Sequence, residues 1–165
     1  YQINISNQGL DSKVVSTPGF CNDRAAYSNT TGTMPSWSES NTVYYEAYVR
    51  LVTDKIPTLV CDDNLDVYTV KIGLITADEM SIAGGVNGTV NSNYYLYTGQ
   101  NYWTMTPAYF YSDGHADTFF VNSSGNFGTP PGVDGRYGVR PVINLSANAT
   151  ISSGDGTINN PYVVN

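Results

Sequence analysis

The single histidine of the chain stands between two carboxylates at alternate positions, in Asp113-Gly-His115-Ala-Asp117. In an extended strand, side chains two residues apart share a face at about 6.6 Å. Three such groups could converge on a zinc ion, or His115 could serve as a base beside a carboxylate. First-row metals in structural sites take a fourth protein ligand, and no second histidine exists to supply one. The same five residues also read as a polar loop leading into the strand that begins near Asp117. A second candidate, Asp62, Asn64 and Asp66, alternates like the opening of a calcium loop. It lacks the glycine at the sixth position and the glutamate at the twelfth that close such a loop. Its alternative reading is a solvated acidic turn.

Catalysis by other routes finds little to work with. There is no Gly-x-Ser-x-Gly elbow and no phosphate loop, and a serine hydrolase would have only His115 as its base. Aromatic rings offer a different chemistry. Tyrosines number 14, enough to build surfaces that stack on sugars or on protein partners. Trp37, Tyr94, Tyr95, Tyr97, Tyr102, Tyr109 and Tyr111 are the candidate contact residues. For each ring, core or cross-strand packing is the competing reading.

Charge narrows the partners. The net charge is −7 with seven Lys and Arg in all and no basic cluster. Nucleic acid and anionic membrane surfaces both require clustered cations, so neither is an expected partner. Only 13% of the residues are charged, about half the usual share. Asn, Ser, Thr, Gly and Tyr must therefore form most of the polar surface, as in secreted and cell-surface proteins. In that setting Cys21 and Cys61 are expected to form a disulfide; two buried free thiols are the alternative. No C-x-x-C pair suggests a redox or zinc motif, and no cofactor is implied. No apolar run approaches the length of a membrane span.

The elements that must position these residues are short. A chain of 165 residues makes one domain, 1–165, with room for one sizeable core. Leu10, Val14 and Val15 could line a short helix that Pro18-Gly19 ends. Residues 27–41 read as a long polar loop around Trp37. Residues 43–52 fit both a helical stripe and strand alternation; Glu46, Ala47 and Arg50 tolerate a helix, so helix or irregular turns are expected. Pro57–Cys61 reads as extended. Lys71–Ile75 is a strand. Thr76 and Glu79 then form a capping box, Met80, Ile82 and Ala83 supply apolar content, and Gly84-Gly85 ends the helix. Tyr94–Met105 reads as extended, Asp117–Val121 as a strand, and Asn122-Ser-Ser-Gly125 as a hairpin turn. Val139–Leu145 and Asn160–Val164 complete the strands.

Three of these pieces carry a resemblance: Lys71-Ile-Gly-Leu-Ile-Thr-Ala-Asp-Glu79, Tyr102-Trp-Thr-Met-Thr-Pro107 and Gly138-Val-Arg-Pro-Val-Ile143. Cys21-Asn-Asp-Arg24, Gly154-Asp-Gly-Thr157 and Asn160-Pro-Tyr-Val-Val164 add to it. In this order and spacing they resemble a family of uncharacterised surface domains of Gram-positive anaerobes. Those domains have a fold like the formylglycine-generating-enzyme variant of the C-type lectin fold. The resemblance implies an α+β, C-type-lectin-like domain of mixed, mainly antiparallel sheets with one or two short helices. It implies an extracellular, cell-surface or pilus-like setting, with protein partners or neighbouring subunits. It also implies that Trp103 is core, that Arg140 is a buried or half-buried structural cation, and that the Trp103 and Arg140 strands lie side by side in the core. The cysteine chemistry of the enzymes does not carry over, because no cysteine falls between Tyr102 and Ile143.

Relatives have further N-terminal strands, absent from this sequence, so the chain is expected to be a fragment or to borrow a strand from a neighbour. The functional expectation is a non-catalytic surface or filament domain acting in assembly or adhesion. The alternatives are a carbohydrate-binding module using exposed Tyr and Trp, and a metal-dependent enzyme centred on His115.

Overall fold

The structure, a computed structural model, describes residues 11–16, 18–21, 23–27, 41–61, 67–129, 132–157 and 159–165. Trp37 and the Asp62, Asn64 and Asp66 triplet lie outside the described residues, as does Leu10. The elements run as a 3-10 turn (Asp11–Lys13), β1 (Gly19–Cys21), β2 (Val43–Tyr44), α1 (Glu46–Tyr48) continuing as a π-helix (Val49–Asp54), β3 (Val67–Thr69), β4 (Ile72–Leu74), α2 (Ala77–Ile82), β5 (Tyr102–Phe110), β6 (Ala116–Val121), β7 (Phe127–Gly128), β8 (Pro141–Ile143), β9 (Ile151–Ser153) and β10 (Val163–Val164). The fold is α+β, with antiparallel sheets and, among the described residues, two short α-helices.

The main sheet has the order β2-β5-β6-β7. Along β5, Tyr102, Thr104, Thr106 and Ala108 are buried while the residues between them are half-buried. The inward row meets Phe119 and Val121 of β6, together with Phe127, Ala47, Leu51, Ala77 and Met80. Two threonines in this row are satisfied within the core. Thr104 Oγ1 donates to the Phe119 carbonyl at 2.8 Å, and Thr106 Oγ1 accepts from the Ala77 amide at 2.9 Å. The second bond docks the start of α2 on the sheet. Both edges of this sheet are flanked. The Tyr27 amide donates to the Tyr44 carbonyl beside β2, and Asn87 bridges Phe127 in β7.

Trp103 points to the other face of β5. It is half-buried and packs edge-on against Tyr137 at 4.7 Å, which corrects its assignment to the core. Pleat alternation explains the difference: Tyr102 and Thr104 take the inward positions, so the residue between them cannot. Trp103→Ala is accordingly expected to cost less than the roughly 3–5 kcal/mol of a buried aromatic. The strand after Gly138 is also corrected. Gly138 does lie beside β5, with the Trp103 amide donating to its carbonyl at 3.0 Å. The strand itself, β8, pairs with β4, and its Pro141 and Ile143 are exposed. Arg140 is half-buried as expected: its guanidinium lies 4.9 Å above the Tyr102 ring and donates to the Leu96 carbonyl at 2.7 Å.

Local chemistry defines α2. Thr76 Oγ1 accepts from the Glu79 amide at 3.1 Å, and the Glu79 carboxylate accepts from the Thr76 amide at 2.8 Å. At the other end the Gly85 amide reaches the Met80 carbonyl and the Gly84 amide reaches that of Ser81, with Gly84 at φ 117°. This is the glycine-terminated Schellman arrangement. Thr76→Ala is expected to lower stability by about 1 kcal/mol in denaturant melts. Of the apolar residues in this helix, Met80 is fully buried while Ile82 is exposed.

Residues 94–101 form turns rather than a continuation of β5, the Tyr97 amide donating to the Tyr94 carbonyl at 3.0 Å. The hairpin turn at Asn122–Gly125 forms as expected. Asn122 Oδ1 accepts from the Ser124 and Asn126 amides, and Gly125 adopts φ 79° in contact with the Asn91 backbone. Residues 43–52 divide between the two readings, with β2 first and helix after. Pro57–Cys61 forms no strand.

Candidate functional site

Two places gather polar and aromatic groups. The first lies where β2, α1 and the tip of the β5–β6 hairpin meet. Pro107 has no amide to give to the ladder, and the pairing of β5 with β6 shifts on either side of it. The shift places Tyr109 opposite Asp117 and turns the Tyr109 ring inward, next to the buried Ala108. Tyr44, Tyr48, Tyr109 and Tyr111 then form a continuous ring cluster. Centroids are 4.8 Å apart for Tyr44–Tyr48, 5.3 Å for Tyr48–Tyr109 and 4.6 Å for Tyr109–Tyr111. Tyr44 and Tyr111 keep exposed rims.

The hydroxyls beneath these rings form a chain. Tyr111 donates to Tyr109 Oη at 2.9 Å, Thr129 Oγ1 lies 3.1 Å from the same oxygen, and Asp117 is the cross-strand partner of Tyr109. Asp117 is 3% exposed, and its Oδ1 has no hydrogen-bond partner among the described residues. Burial pushes the Asp117 carboxyl above the ordinary range; the nearby Tyr109 hydroxyl and the His115 charge oppose this, while Asp113 and Asp134 add to it. Burial likewise raises the Tyr109 and Tyr48 phenols.

Because the folded value for Asp117 is raised, its contribution to stability is present in acid and is lost as pH climbs through that value. Asp117→Asn should therefore gain on the wild type as pH rises from the ordinary Asp value of 3.8 toward neutrality. Melting curves at matched pH would show this. A constant difference between the two proteins would mean that the carboxyl is not destabilised by burial.

His115 and Asp113 do form a pair, His115 Nδ1 to Asp113 Oδ1 at 2.9 Å, but both side chains are exposed in the hairpin loop. Their hydrogen bond raises the His115 imidazole and lowers the Asp113 carboxyl. The loop makes a turn there, with the Tyr111 amide donating to the His115 carbonyl at 2.7 Å. Asp117 is already in β6 and faces the interior. Among the described residues no three His, Cys, Asp or Glu side chains are grouped to hold a metal ion.

The second place is a cleft of about 980 Å³ between the β1–β3 pair and the start of α2. The Cys21–Cys61 disulfide lies in its wall, with Cα atoms 5.6 Å apart. Arg50, in the π-helix, donates through Nε and Nη2 to the two oxygens of Asp78 at 2.9 and 2.6 Å, and through Nη2 to Asp23. Asp78 Oδ1 also accepts the Thr58 amide at 2.8 Å. Burial works against the Arg50 charge, but its hydrogen bonds to Asp78 and Asp23 outweigh it and hold the guanidinium firmly protonated. This triad cross-links the π-helix, α2 and the segment after β1.

The remaining sequence candidates separate. Tyr94 is buried and donates to the Gly125 carbonyl at 3.3 Å, its phenol pushed up to about 12 chiefly by burial. Tyr97 is half-buried and donates to the Ser123 carbonyl, and Tyr102 is buried. Tyr94, Tyr102 and Tyr109 thus serve the interior and are corrected as contact residues. Tyr95 is 79% exposed. Tyr44 and Tyr48 were not among the expected contacts, since residues 43–52 were ambiguous between helix and strand.

Comparison with known proteins finds no family model, no curated protein and no solved structure that matches this chain. Among the described residues no helix is long and apolar enough to cross a membrane.

Proposed function

We propose that this chain is a non-catalytic extracellular domain that works through protein contacts, in surface or filament assembly or in adhesion. The observation that carries the reading is the C-terminal hairpin. Among the described residues β9 and β10 pair only with each other, and Ile151, Tyr162 and Val163 are 59%, 54% and 50% exposed. A two-stranded hairpin is marginal by itself in water. Unpaired strand edges bearing apolar side chains are ready to join another chain. The disulfide and the scarcity of charge support an oxidising, extracellular setting. The sequence resemblance to Gram-positive surface and pilin-associated domains points the same way.

Sedimentation and electron microscopy of native material test this. Concentration-dependent or elongated particles are expected, dispersed by Val163→Lys. A monomer at every concentration would overturn the assembly reading.

The second reading is carbohydrate binding at the exposed rims of Tyr44 and Tyr111, favoured by the ring cluster with its hydroxyl chain. Glycan-array binding lost in Tyr111→Ala would move the assignment there. The metal-dependent alternative at His115 would need a third ligand that the described residues do not bring to the His115–Asp113 pair.

A further inference from the structure

Asn87-Gly88 is the only Asn-Gly pair in the chain. An asparagine before glycine is open to attack on its own side chain. Glycine has no Cβ to shield its amide nitrogen, which can close on the asparagine Cγ to form a five-membered imide. Here the pair occupies the middle of a turn. The Thr89 amide donates to the Val86 carbonyl at 3.1 Å, and Gly88 adopts φ 75°. Gly88 is exposed, and no atom beyond its chain neighbours lies within 4 Å of the place its Cβ would take. The imide therefore has room to form, and water has access to open it.

The turn is also fastened to the main sheet. Asn87 Nδ2 donates to the Phe127 carbonyl at 3.2 Å, and the Gly88 amide donates to Asn126 Oδ1 at 3.0 Å. Asn87 forms a parallel bridge with Phe127 of β7, the edge strand. Nucleophile and electrophile are both tethered, so the fold sets the pace of the reaction.

We propose that Asn87 is a site of spontaneous deamidation, and that its conversion unfastens the 86–89 turn from the edge of the main sheet. The Gly88 nitrogen gives up its proton and bonds to Asn87 Cγ. The Cγ–Nδ2 bond breaks, and the nitrogen leaves as ammonia. Water then opens the imide at either carbonyl, giving aspartate or isoaspartate. One water is consumed and one ammonia released, and nothing is oxidised or reduced. Either product puts a carboxylate where the Nδ2 donor was, and a carboxylate can only accept. The Phe127 carbonyl is an acceptor too, so the bond between them is lost. Isoaspartate also adds a backbone atom inside a turn closed by one hydrogen bond. Unfastening leaves the outer edge of β7 open to pairing with another strand. The site stands independently of the assembly reading above.

The test is peptide mapping by mass spectrometry of the full chain, aged in mild alkali both folded and in urea. In the folded chain Asn87 should convert before any other asparagine, to a mixture of aspartate and isoaspartate. Asn126→Ala unties the Gly88 amide and should speed the conversion about fivefold, the rate equivalent of one ordinary hydrogen bond. Amide exchange at Gly88 and Thr89 should quicken in Asn87→Asp, and in aged wild-type protein should that variant not fold. Asn87 left intact in the folded chain, while it converts in urea, would overturn the site. A rate unmoved by Asn126→Ala would overturn the tethering, and unchanged protection of Gly88 and Thr89 after conversion would overturn the unfastening.

Discussion

Replacing Arg50 by alanine is expected to lower stability by about 3–5 kcal/mol, the cost of leaving buried charges without their partner. Both carboxylates it serves are largely buried, with side chains 7% exposed, and Arg50 itself is 22% exposed. The loss should be cooperative in space. Asp78 lies in the first turn of α2, Asp23 follows β1 and Arg50 is in the π-helix, so one guanidinium ties three segments together, and Asp78 in turn holds the Thr58 amide. Arg50→Lys should recover only part of the loss, because a point-like ammonium cannot match the two-pronged grip on Asp78. Converting the triad to apolar residues of similar volume should cost far less than removing Arg50 alone, since no charge is stranded. Denaturant midpoints would measure all three. A near-wild-type Arg50→Ala would mean that water already satisfies Asp23 and Asp78, and the cross-link assignment would be wrong.

What could be read in advance follows from how local each cause is. The strand, cap and helix from Lys71 to Gly85 were legible because Thr76, Glu79, Gly84 and Gly85 act within a few residues of one another. The 122–125 turn was legible for the same reason. The disulfide was inferred from composition. Arg50 was not legible as a site residue: its partners lie 27 and 28 positions away, and no pattern in the sequence links them. Tyr109 was expected among the contact residues from its ring type alone, without a strand to place it. The pairing shift around Pro107 turns it inward, and a proline in a strand was the available signal. Asp113, His115 and Asp117 looked like one face on the assumption of an extended run. The hairpin reverses through Asp113 and Gly114 instead, leaving two of them in solvent and one in the interior. The tyrosine cluster needed β2, α1 and β5 to be placed together, which only the fold does.

Breaking the Cys21–Cys61 bond is the other change with a large expected effect. The cysteines are 40 residues apart. Freeing that loop costs about 4 kcal/mol in the chain-entropy treatment. Intact protein should run two hydrogens lighter than its reduced form in mass spectrometry, and Cys61→Ser should shift the denaturant midpoint by the corresponding amount. Two freely alkylated thiols in native protein would refute the bond and weaken the extracellular reading with it. Cys21 also pairs through its backbone with Val67 in β3, so bond and strand hold the same corner from both sides. The Arg50 triad grips that corner a few residues away at Asp23 and Thr58. The two effects should therefore not be independent. Domains of this kind have about 5–15 kcal/mol in total, so Arg50→Ala combined with Cys61→Ser should remove most of it and leave a marginal or unfolded protein. A folded double variant, with losses that simply add, would show instead that bond and triad stabilise separate parts of the molecule.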